Sequence, residues 1–234
     1  AAAYPEAEEI FHRAGENFEE VYTFLSKDEN PNRKKLLFSL ELKDAKDLKA
    51  SVLEDHLDCE QGDLPEEIFR KDLLCPRIFL EELTPYRSMI RGFFEEETKR
   101  SFAEQPERIL DYLKKNITFH AEEEYDTIMA TPVGVLTMKQ GSPLAQKILF
   151  VAICRSLNVA ARLNPVTLEP EYYRDGEFHS VETEAAVLKE ETESAVLTLR
   201  AEDGSAWKYY QTWTIGKWNG TVFETLNYED IAFD

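Results

Sequence analysis

The residue types that could support nucleophilic catalysis in this sequence are a serine, a histidine and two carboxylates. Ser142 stands at the start of an apolar run, and His179 follows it further along the chain. A serine hydroxyl becomes a nucleophile when a histidine takes its proton and a carboxylate, here Glu182 or Glu190, orients the ring. These residues define one hypothesis, an amide hydrolase or acyl transferase that uses Ser142 and His179.

Ser142 and His179 also have a structural interpretation. Serine is a good helix N-cap and proline a good first helical residue, so Ser142 and Pro143 predict the start of a helix. Removing such a cap costs about 1 kcal/mol. His179 can equally be a strand residue that shares a face with Val181. We favour the structural interpretation, because a helix dipole activates a hydroxyl far less than a thiol.

The three cysteines do not form a recognisable reactive or metal site. Cys154 lies inside the apolar run ILFVAIC, as expected of a buried, inert thiol. Cys75 precedes a proline and is expected to be structural, and the acidic stretch around Cys59 should raise the pKa of its thiol. No two cysteines have metal-ligand spacing and the four histidines are scattered, so the sequence predicts neither a zinc site nor any cofactor.

Aromatic side chains are the best candidates for binding a peptide or a glycan. Tyrosine and tryptophan rings can line a cleft or stack against a sugar. The candidate binding residues are Tyr172, Tyr173, Tyr210 and Trp218. Three other aromatic residues alternate along one expected strand and should supply core: Trp207, Tyr209 and Trp213.

Composition limits the class of partner. The chain has 234 residues, 43% of them hydrophobic, and a net charge of −19. Such an acidic surface repels nucleic acid and anionic membrane. No apolar run approaches the roughly 18 residues of a membrane helix, so we expect no membrane insertion. The sequence shows no signal peptide and begins like a trimmed mature chain. We expect it to be a piece of something longer.

Residues 1–115 are expected to form a helical N-terminal region, because apolar residues recur at three- and four-residue spacing. Ser51 is expected to cap a helix, with Glu54 at the capping-box position. Four prolines are each expected to start a helix. They are Pro65, Pro76, Pro85 and Pro106.

Residues 116–234 are expected to form an α+β core. TPVGVL at 131–136 is expected to be a turn leading into a short apolar run. A buried helix should follow over 142–157 and end at Asn158, and VAARL should be a strand. The remaining strands are expected at 195–200, at 207–215 and after the Asn219-Gly220 hairpin signal. All strands after residue 159 are expected to share one antiparallel sheet.

The segment GSPLAQKILFVAICRSLNVAARL, with the upstream phrase TPVGVL, resembles the core of the transglutaminase-like superfamily, in a bacterial subset. In that family a glycine and a cysteine open a buried helix, which runs through an apolar stretch to an Arg-x-Leu-Gly pattern and then to Ile-Pro-Ala-Arg on a strand. The matching residues here are Gly141, Phe150, Val151, Ala152, Arg155, Leu157, Asn158, Ala160, Ala161 and Arg162.

The resemblance implies a papain-like α+β fold and a cysteine–histidine–aspartate site. The position of the family's cysteine falls on Pro143, or on Ser142 after a shift of one residue, and neither is cysteine. His179 is the candidate for the histidine. If FHSV instead matches the later strand, Ser180 replaces the aspartate. The resemblance therefore implies a catalytically inactive domain, a binding or scaffolding module of a larger bacterial extracellular protein.

Overall fold

A computed structural model of the chain describes residues 8–119, 130–181, 213–218 and 223–225. The chain divides into two compact units, residues 1–190 and residues 191–234. The described residues contain many helices and little sheet, and the strands are antiparallel. The fold is therefore α+β, as the sequence predicts.

The first half of the larger unit is helical. Short helices and tight turns follow one another and bury apolar side chains such as Phe24, Leu53 and Phe69, which we call the N-terminal cluster. The last helix of this region passes without a break into a π-helical turn, Phe69–Leu74. The helices are α1 (Glu8–Ala14), α2 (Phe18–Leu25), α3 (Asn32–Ser39), α4 (Leu42–Asp47), α5 (Ala50–His56) and α6 (Glu66–Ile68).

The second half of the unit surrounds one central helix. The helices are α7 (Tyr86–Phe93), α8 (Glu96–Glu104), α9 (Glu107–Asn116), α10 (Pro132–Met138) and α11 (Pro143–Ser156). Every residue of α11 from Ile148 to Ser156 is buried, because the helix is apolar on nearly all sides. It packs against α7, α9 and α10 on one side and against the sheet on the other. The buried apolar side chains of α11 and of the elements around it, such as Ile90, Phe150 and Tyr172, form what we call the central cluster.

Three strands complete this unit. They are β1 (Ala161–Leu163), β2 (Pro170–Arg174) and β3 (Glu177–Ser180), in the antiparallel order β1-β2-β3. Tyr172 on β2 lies opposite both Ala161 on β1 and His179 on β3. The turn from β2 to β3 has left-handed backbone at Asp175 and Gly176, the conformation that a tight hairpin requires.

The smaller unit contains two described strands, β4 (Gly216–Trp218) and β5 (Phe223–Thr225), which pair with each other. This pairing confirms the hairpin predicted around Asn219-Gly220, although the turn itself lies outside the described residues. The prediction of a single sheet was wrong for the described strands, which form two separate sheets. Of the predicted strand 207–215 only residues 213–215 are described; residues 214 and 215 belong to no strand, and β4 begins at Gly216. Residues 195–200, 207, 209 and 210 lie outside the described part.

Several predicted helix starts are confirmed and others are wrong. Pro65, Pro85 and Pro106 each directly precede a helix, as predicted. Pro76 starts no helix, and residues 76–85 form an irregular loop. The carboxylate of Glu81 accepts hydrogen bonds from the amides of Ile78 and Phe79, both at 2.8 Å, and so supports this loop in place of a helical turn.

Two further corrections concern helix caps. Helix α5 begins at Ala50, so Ser51 lies inside the helix, and the amide of Ala50 donates to the carboxylate of Glu20 at 2.7 Å. The TPVGVL segment is the helix α10, because Thr131 caps it and Pro132 occupies its first turn. The Asn158 prediction is confirmed, since its left-handed backbone (φ 62°) follows the end of α11.

The two apolar clusters meet at the sheet. Apart from Ala160, which directly precedes β1, the fully buried residues of the N-terminal cluster end at Leu74, and those of the central cluster begin at Tyr86. Tyr173 of β2 also packs against the N-terminal cluster. The boundary between a helical region and the core, expected at residue 115, stays a prediction. In the described part of the chain, no helix is long and apolar enough to cross a membrane.

Candidate functional site

The amino end of α11 is where the sequence places a candidate nucleophile. The hydroxyl of Ser142 accepts a hydrogen bond from the amide of Ala145 at 3.2 Å, and Pro143 occupies the first turn. Ser142 is thus a helix N-cap, as predicted, and one of the two lone pairs of its oxygen accepts from a helix amide. Pro143 is exposed and has neither a nucleophilic atom nor an amide hydrogen.

The segment before Ser142 is tightly held. The amide of Gly141 donates to the carbonyl of Thr118 at 3.1 Å, and the side chain of Gln146 donates to the carbonyl of Gly141 at 2.9 Å. A Cβ atom at position 141 would lie only 2.8 Å from a methyl group of Val135. Glycine is therefore required for the close approach of this segment to α10.

His179 lies on β3 and stacks on Tyr172, with ring centroids 5.3 Å apart and an angle of 19° between the planes. Its Nε2 atom lies 3.1 Å from the carbonyl oxygen of Arg174. A carbonyl oxygen only accepts, so Nε2 carries the proton in this contact. Among the described residues, no hydrogen bond joins the His179 ring to the Ser142 hydroxyl. Glu182 and Glu190, the suggested orienting carboxylates, lie outside the described residues.

Tyr172 connects the sheet to α9. It is buried, and its hydroxyl donates to the carboxylate of Glu107 at the start of α9. Burial and this carboxylate raise the pKa of Tyr172 to about 12. Burial also raises the pKa of Glu107, but the Tyr172 hydroxyl and a backbone amide outweigh it and leave that pKa below its ordinary value. The pair is therefore a neutral phenol donating to an ionised carboxylate.

Of the other candidate binding residues, only Tyr173 has a described side chain. Tyr173 is half-buried, packs edge-on against Phe178 at 5.2 Å and contacts the N-terminal cluster. It lies next to Tyr172 on β2, and successive strand residues point to opposite faces, so the two rings do not line the same face. Trp218 belongs to β4 in the smaller unit, and its side chain lies outside the described part, as does all of Tyr210.

The cysteines of the larger unit have weakly acidic thiols. Burial raises the pKa of Cys154, of Cys75 and of the half-buried Cys59. For Cys59 the predicted direction is confirmed, but the main cause is burial and not the acidic neighbours. Among the described residues, no group of three histidine, cysteine or carboxylate side chains could hold a metal ion.

Comparison with known proteins identifies the family. Residues 87–208, more than half of the chain, match the family model of the transglutaminase-like superfamily. The chain belongs to the transglutaminase-like superfamily. The comparison with curated proteins and the comparison with solved structures give no match.

The transglutaminase-like match begins at Arg87 in α7 and contains α11 and the three-stranded sheet. Arg155, on which the sequence resemblance is anchored, is buried near the end of α11. Its guanidinium donates to the carbonyls of Ala161 at 2.8 Å, of Cys75 at 2.7 Å and of Arg77 at 2.9 Å. It thereby joins the central helix, the sheet and the loop between the two clusters.

An open cavity of about 450 Å³ lies at the opposite end of α11 from Ser142. Its wall includes Cys59 and residues 156–158, where α11 ends, together with basic and acidic side chains: Arg91, Lys99, Arg100, Asp58, Glu60 and Glu96. The helix rises 1.5 Å per residue, so this cavity is about 20 Å from the amino end of the helix. The transglutaminase-like domain therefore has a concave surface remote from the position of its family's nucleophile.

Two residue pairs of the folded chain were not predicted from the sequence. Glu107 is one of many glutamates, and its partner Tyr172 is 65 residues away, so only the folded chain brings them together. The buried pair of His56 and Arg87 was also missed. A charged arginine within an amphipathic helix normally faces solvent, and the sequence has no signal that separates it from the exposed ones.

Proposed function

We propose that this chain is a catalytically inactive transglutaminase-like domain that binds a peptide or a glycan, as a module of a larger bacterial extracellular protein. The observation that carries the proposal is the amino end of α11. A capping serine and a proline occupy the place where the resemblance puts the family's cysteine. Cysteine chemistry at a helix start needs a thiolate that the dipole and free amides stabilise. Neither Ser142 nor Pro143 provides one.

The state of the two polar candidates supports the absence of catalysis. The Ser142 oxygen accepts from the Ala145 amide through one of its two lone pairs, and the Nε2 proton of His179 is directed at a backbone carbonyl, which leaves Nδ1 unprotonated. A histidine that acts as a general base needs its unprotonated ring nitrogen within hydrogen-bond reach of the nucleophile, and among the described residues no hydrogen bond joins the His179 ring to Ser142. The stacked, hydrogen-bonded His179 ring instead supports a structural role in the sheet.

The catalytic part of the proposal is tested by restoring and by removing the nucleophile. The wild-type chain is incubated with a glutamine-containing protein and a fluorescent amine, and separately with chromogenic amides. We expect no turnover from the wild type or from Ser142→Ala. Ser142→Ala should only lose about 1 kcal/mol of stability, a drop of about 2–4 °C in Tm for a chain of this size. Turnover by the wild type that Ser142→Ala abolishes would establish the serine enzyme instead.

Ser142→Cys provides the matched gain-of-function variant. It restores a thiol at the helix start without disturbing Pro143. We expect iodoacetamide to alkylate this new thiol faster than Cys75 and Cys154, since those two are buried. Amide turnover by Ser142→Cys would mean that the rest of the site is intact and that only the nucleophile has been lost.

The binding part is tested with glycan and peptide arrays. Hits are compared between the wild type and the single variants Tyr173→Ala and Trp218→Ala, with Phe18→Ala as the control. Phe18 is an exposed aromatic residue on α2, in the N-terminal cluster region. Weaker binding in either of the first two variants and unchanged binding in the control would support these residues as the ligand site. Arrays without any hit would remove the binding proposal.

A further inference from the structure

The guanidinium of Arg87 is fully buried and, among the described residues, makes no hydrogen bond to a carboxylate. It lies on α7, and its Nε atom donates to Nδ1 of His56 at 3.2 Å while Nη2 donates to the carbonyl of Leu73. Its third nitrogen, Nη1, is buried and has no hydrogen-bond partner in the described part of the chain. All the acceptors of this guanidinium are neutral, and an unpaired buried charge is strongly destabilising.

The neighbouring arginines make the buried charge of Arg87 still less favourable. Burial lowers the pKa of Arg87, and two further arginines, Arg155 and Arg91, act in the same direction. The thiol of Cys59 and the hydroxyl of Tyr86 are the acidic groups that act against them. Both groups are neutral while protonated. Arg91 is already paired with Asp58, and the carboxylate of Asp55 accepts from the backbone amide of Arg87, whereas the Arg87 guanidinium makes no hydrogen bond to a carboxylate among the described residues.

Cys59 is a partly exposed neighbour of this buried cation. It follows α5, is only partly buried, and lines the open cavity at the end of α11 together with Arg91 and Lys99. Its Sγ atom donates to the carbonyl of His56 at 3.7 Å, and Arg87 lies beside the same thiol. The other two cysteines, Cys75 and Cys154, are buried. Cys59 is therefore the thiol that a small oxidant in the cavity reaches first.

We propose that Cys59 is an oxidation site, at which a peroxide produces a cysteine sulfinate that forms an ion pair with the guanidinium of Arg87. In the first step the sulfur attacks one peroxide oxygen, the O–O bond breaks, and the products are a sulfenic acid and water. A second peroxide oxidises the sulfenic acid to the sulfinic acid and again leaves as water. The sulfinic acid then releases its proton to solvent.

The environment of Cys59 suits the product better than the starting thiol. Burial raises the pKa of the thiol and Arg87 opposes that shift, so the thiolate is scarce at neutral pH and oxidation is slow. The sulfinate is anionic at neutral pH and has oxygen acceptors for a guanidinium donor. Charge-assisted hydrogen bonds of this kind are among the stronger ones in proteins. The modification therefore converts an unpaired buried charge into a paired one.

A pair of substitutions tests the electrostatic part without any oxidation chemistry. Cys59→Asp places a carboxylate, the nearest natural analogue of a sulfinate, beside Arg87, and Cys59→Asn is its uncharged match. We expect Cys59→Asp to unfold at a higher temperature than Cys59→Asn at neutral pH, by about 3 °C or more. An equal or lower Tm for Cys59→Asp would overturn the proposal, since Arg87 would then gain nothing from an anion at this position.

Peroxide treatment of the full chain tests the site itself. After exposure to hydrogen peroxide, peptide mapping should find the mass of two added oxygen atoms at Cys59 at a level about ten-fold above Cys75 and Cys154. The same treatment in urea should remove this preference. The oxidised wild type should unfold at a higher temperature than the untreated protein, whereas Cys59→Ser should show no rise. No preference for Cys59, or a lower Tm after its oxidation, would contradict the proposal.

Discussion

The ring of His56 accepts a hydrogen bond at Nδ1 from Nε of Arg87, 3.2 Å away, and both side chains are completely buried between α5 and α7. An acceptor nitrogen is unprotonated, so His56 is neutral in the folded protein. The His56 ring also meets the ring of Tyr86 edge-on at 4.5 Å. Burial and the neighbouring arginine thus keep this histidine neutral.

We predict that stability decreases as the pH falls below about 6.5 because of His56. Burial first, and then the charges of Arg87 and Arg155, place the pKa of His56 well below its ordinary value of 6.5. The unfolded chain takes up a proton at this residue below pH 6.5 and the folded chain does not. The free energy of unfolding should therefore drop by about 1.4 kcal/mol per pH unit between about pH 6.5 and 5.

Urea unfolding at a series of pH values measures this slope. His56→Gln is the control, because a glutamine oxygen can still accept from Arg87 but does not titrate. The free energy of unfolding of His56→Gln should fall less steeply with decreasing pH in the same range, by about 1.4 kcal/mol per pH unit, because this variant lacks one titrating group. Identical slopes for the two proteins would show that His56 is protonated in the folded state after all.

Gly141→Ala should be destabilising by about 1–3 kcal/mol, because its new Cβ would lie 2.8 Å from Val135 Cγ1 at the contact between α10 and α11. Gly92→Ala in α7 is the control. A Cβ there meets no atom within 4 Å, and alanine in a helix is better than glycine by about 0.5–1 kcal/mol. The Tm should fall for Gly141→Ala and rise for Gly92→Ala. Two changes of the same sign would refute the steric explanation.

Arg155→Lys should cost about 3 kcal/mol, since the single nitrogen of an ammonium group cannot take the places of both Nε and Nη1, the two guanidinium nitrogens that donate to the three carbonyls. Arg162→Lys is the comparison. Arg162 is about one-third exposed and forms a surface ion pair with Glu171 at 3.0 Å, so its loss should cost about 1 kcal/mol or less. Chemical denaturation gives both values. Similar values would mean that the carbonyl contacts of Arg155 contribute little.

Tyr172→Phe should destabilise the protein by about 1.5 kcal/mol, because it removes the hydrogen bond to the ionised Glu107. Tyr173→Phe changes the neighbouring residue, whose hydroxyl makes no hydrogen bond among the described residues, and should be nearly neutral. An ultraviolet titration adds a second measurement. The wild type should contain a tyrosine with a pKa of about 12 that Tyr172→Phe lacks, although Tyr86 titrates in the same range. A loss of ordinary tyrosine absorbance instead would contradict the assigned environment.

Local sequence signals predicted some helix starts well and overlooked an equivalent one. Ser142-Pro143 was interpreted as a cap followed by a first helical residue, and the structure has this arrangement. Thr131-Pro132 carries the same signal and also caps a helix, but the glycine and valines after it favoured a turn. Both helices start with a hydroxyl residue followed by a proline, and only the residues after the proline differ.

Contacts between distant residues explain the failures. Ser51 looked like a cap, yet the start of α5 is supported by Glu20, 30 residues earlier. Pro76 looked like a helix start, but Arg77 pairs with Asp44 across 33 residues and Glu81 binds the nearby amides. Such partners are invisible to a periodicity argument. The α+β class and the buried central helix were predictable, because they depend on long apolar runs and not on individual pairings.

The pairing of Asn158 with Glu60 has a consequence for how the chain acquires its structure. The Asn158 side chain accepts from the amide of Glu60 at 2.9 Å and donates to its carbonyl at 3.2 Å, across 98 positions. During synthesis the N-terminal helices leave the ribosome long before Asn158 and Ala160 exist. Closing so long a loop is entropically costly, and contacts of this kind slow folding. Part of the apolar surface of the first helices therefore stays uncovered until the end of α11 and the first strand have been synthesised.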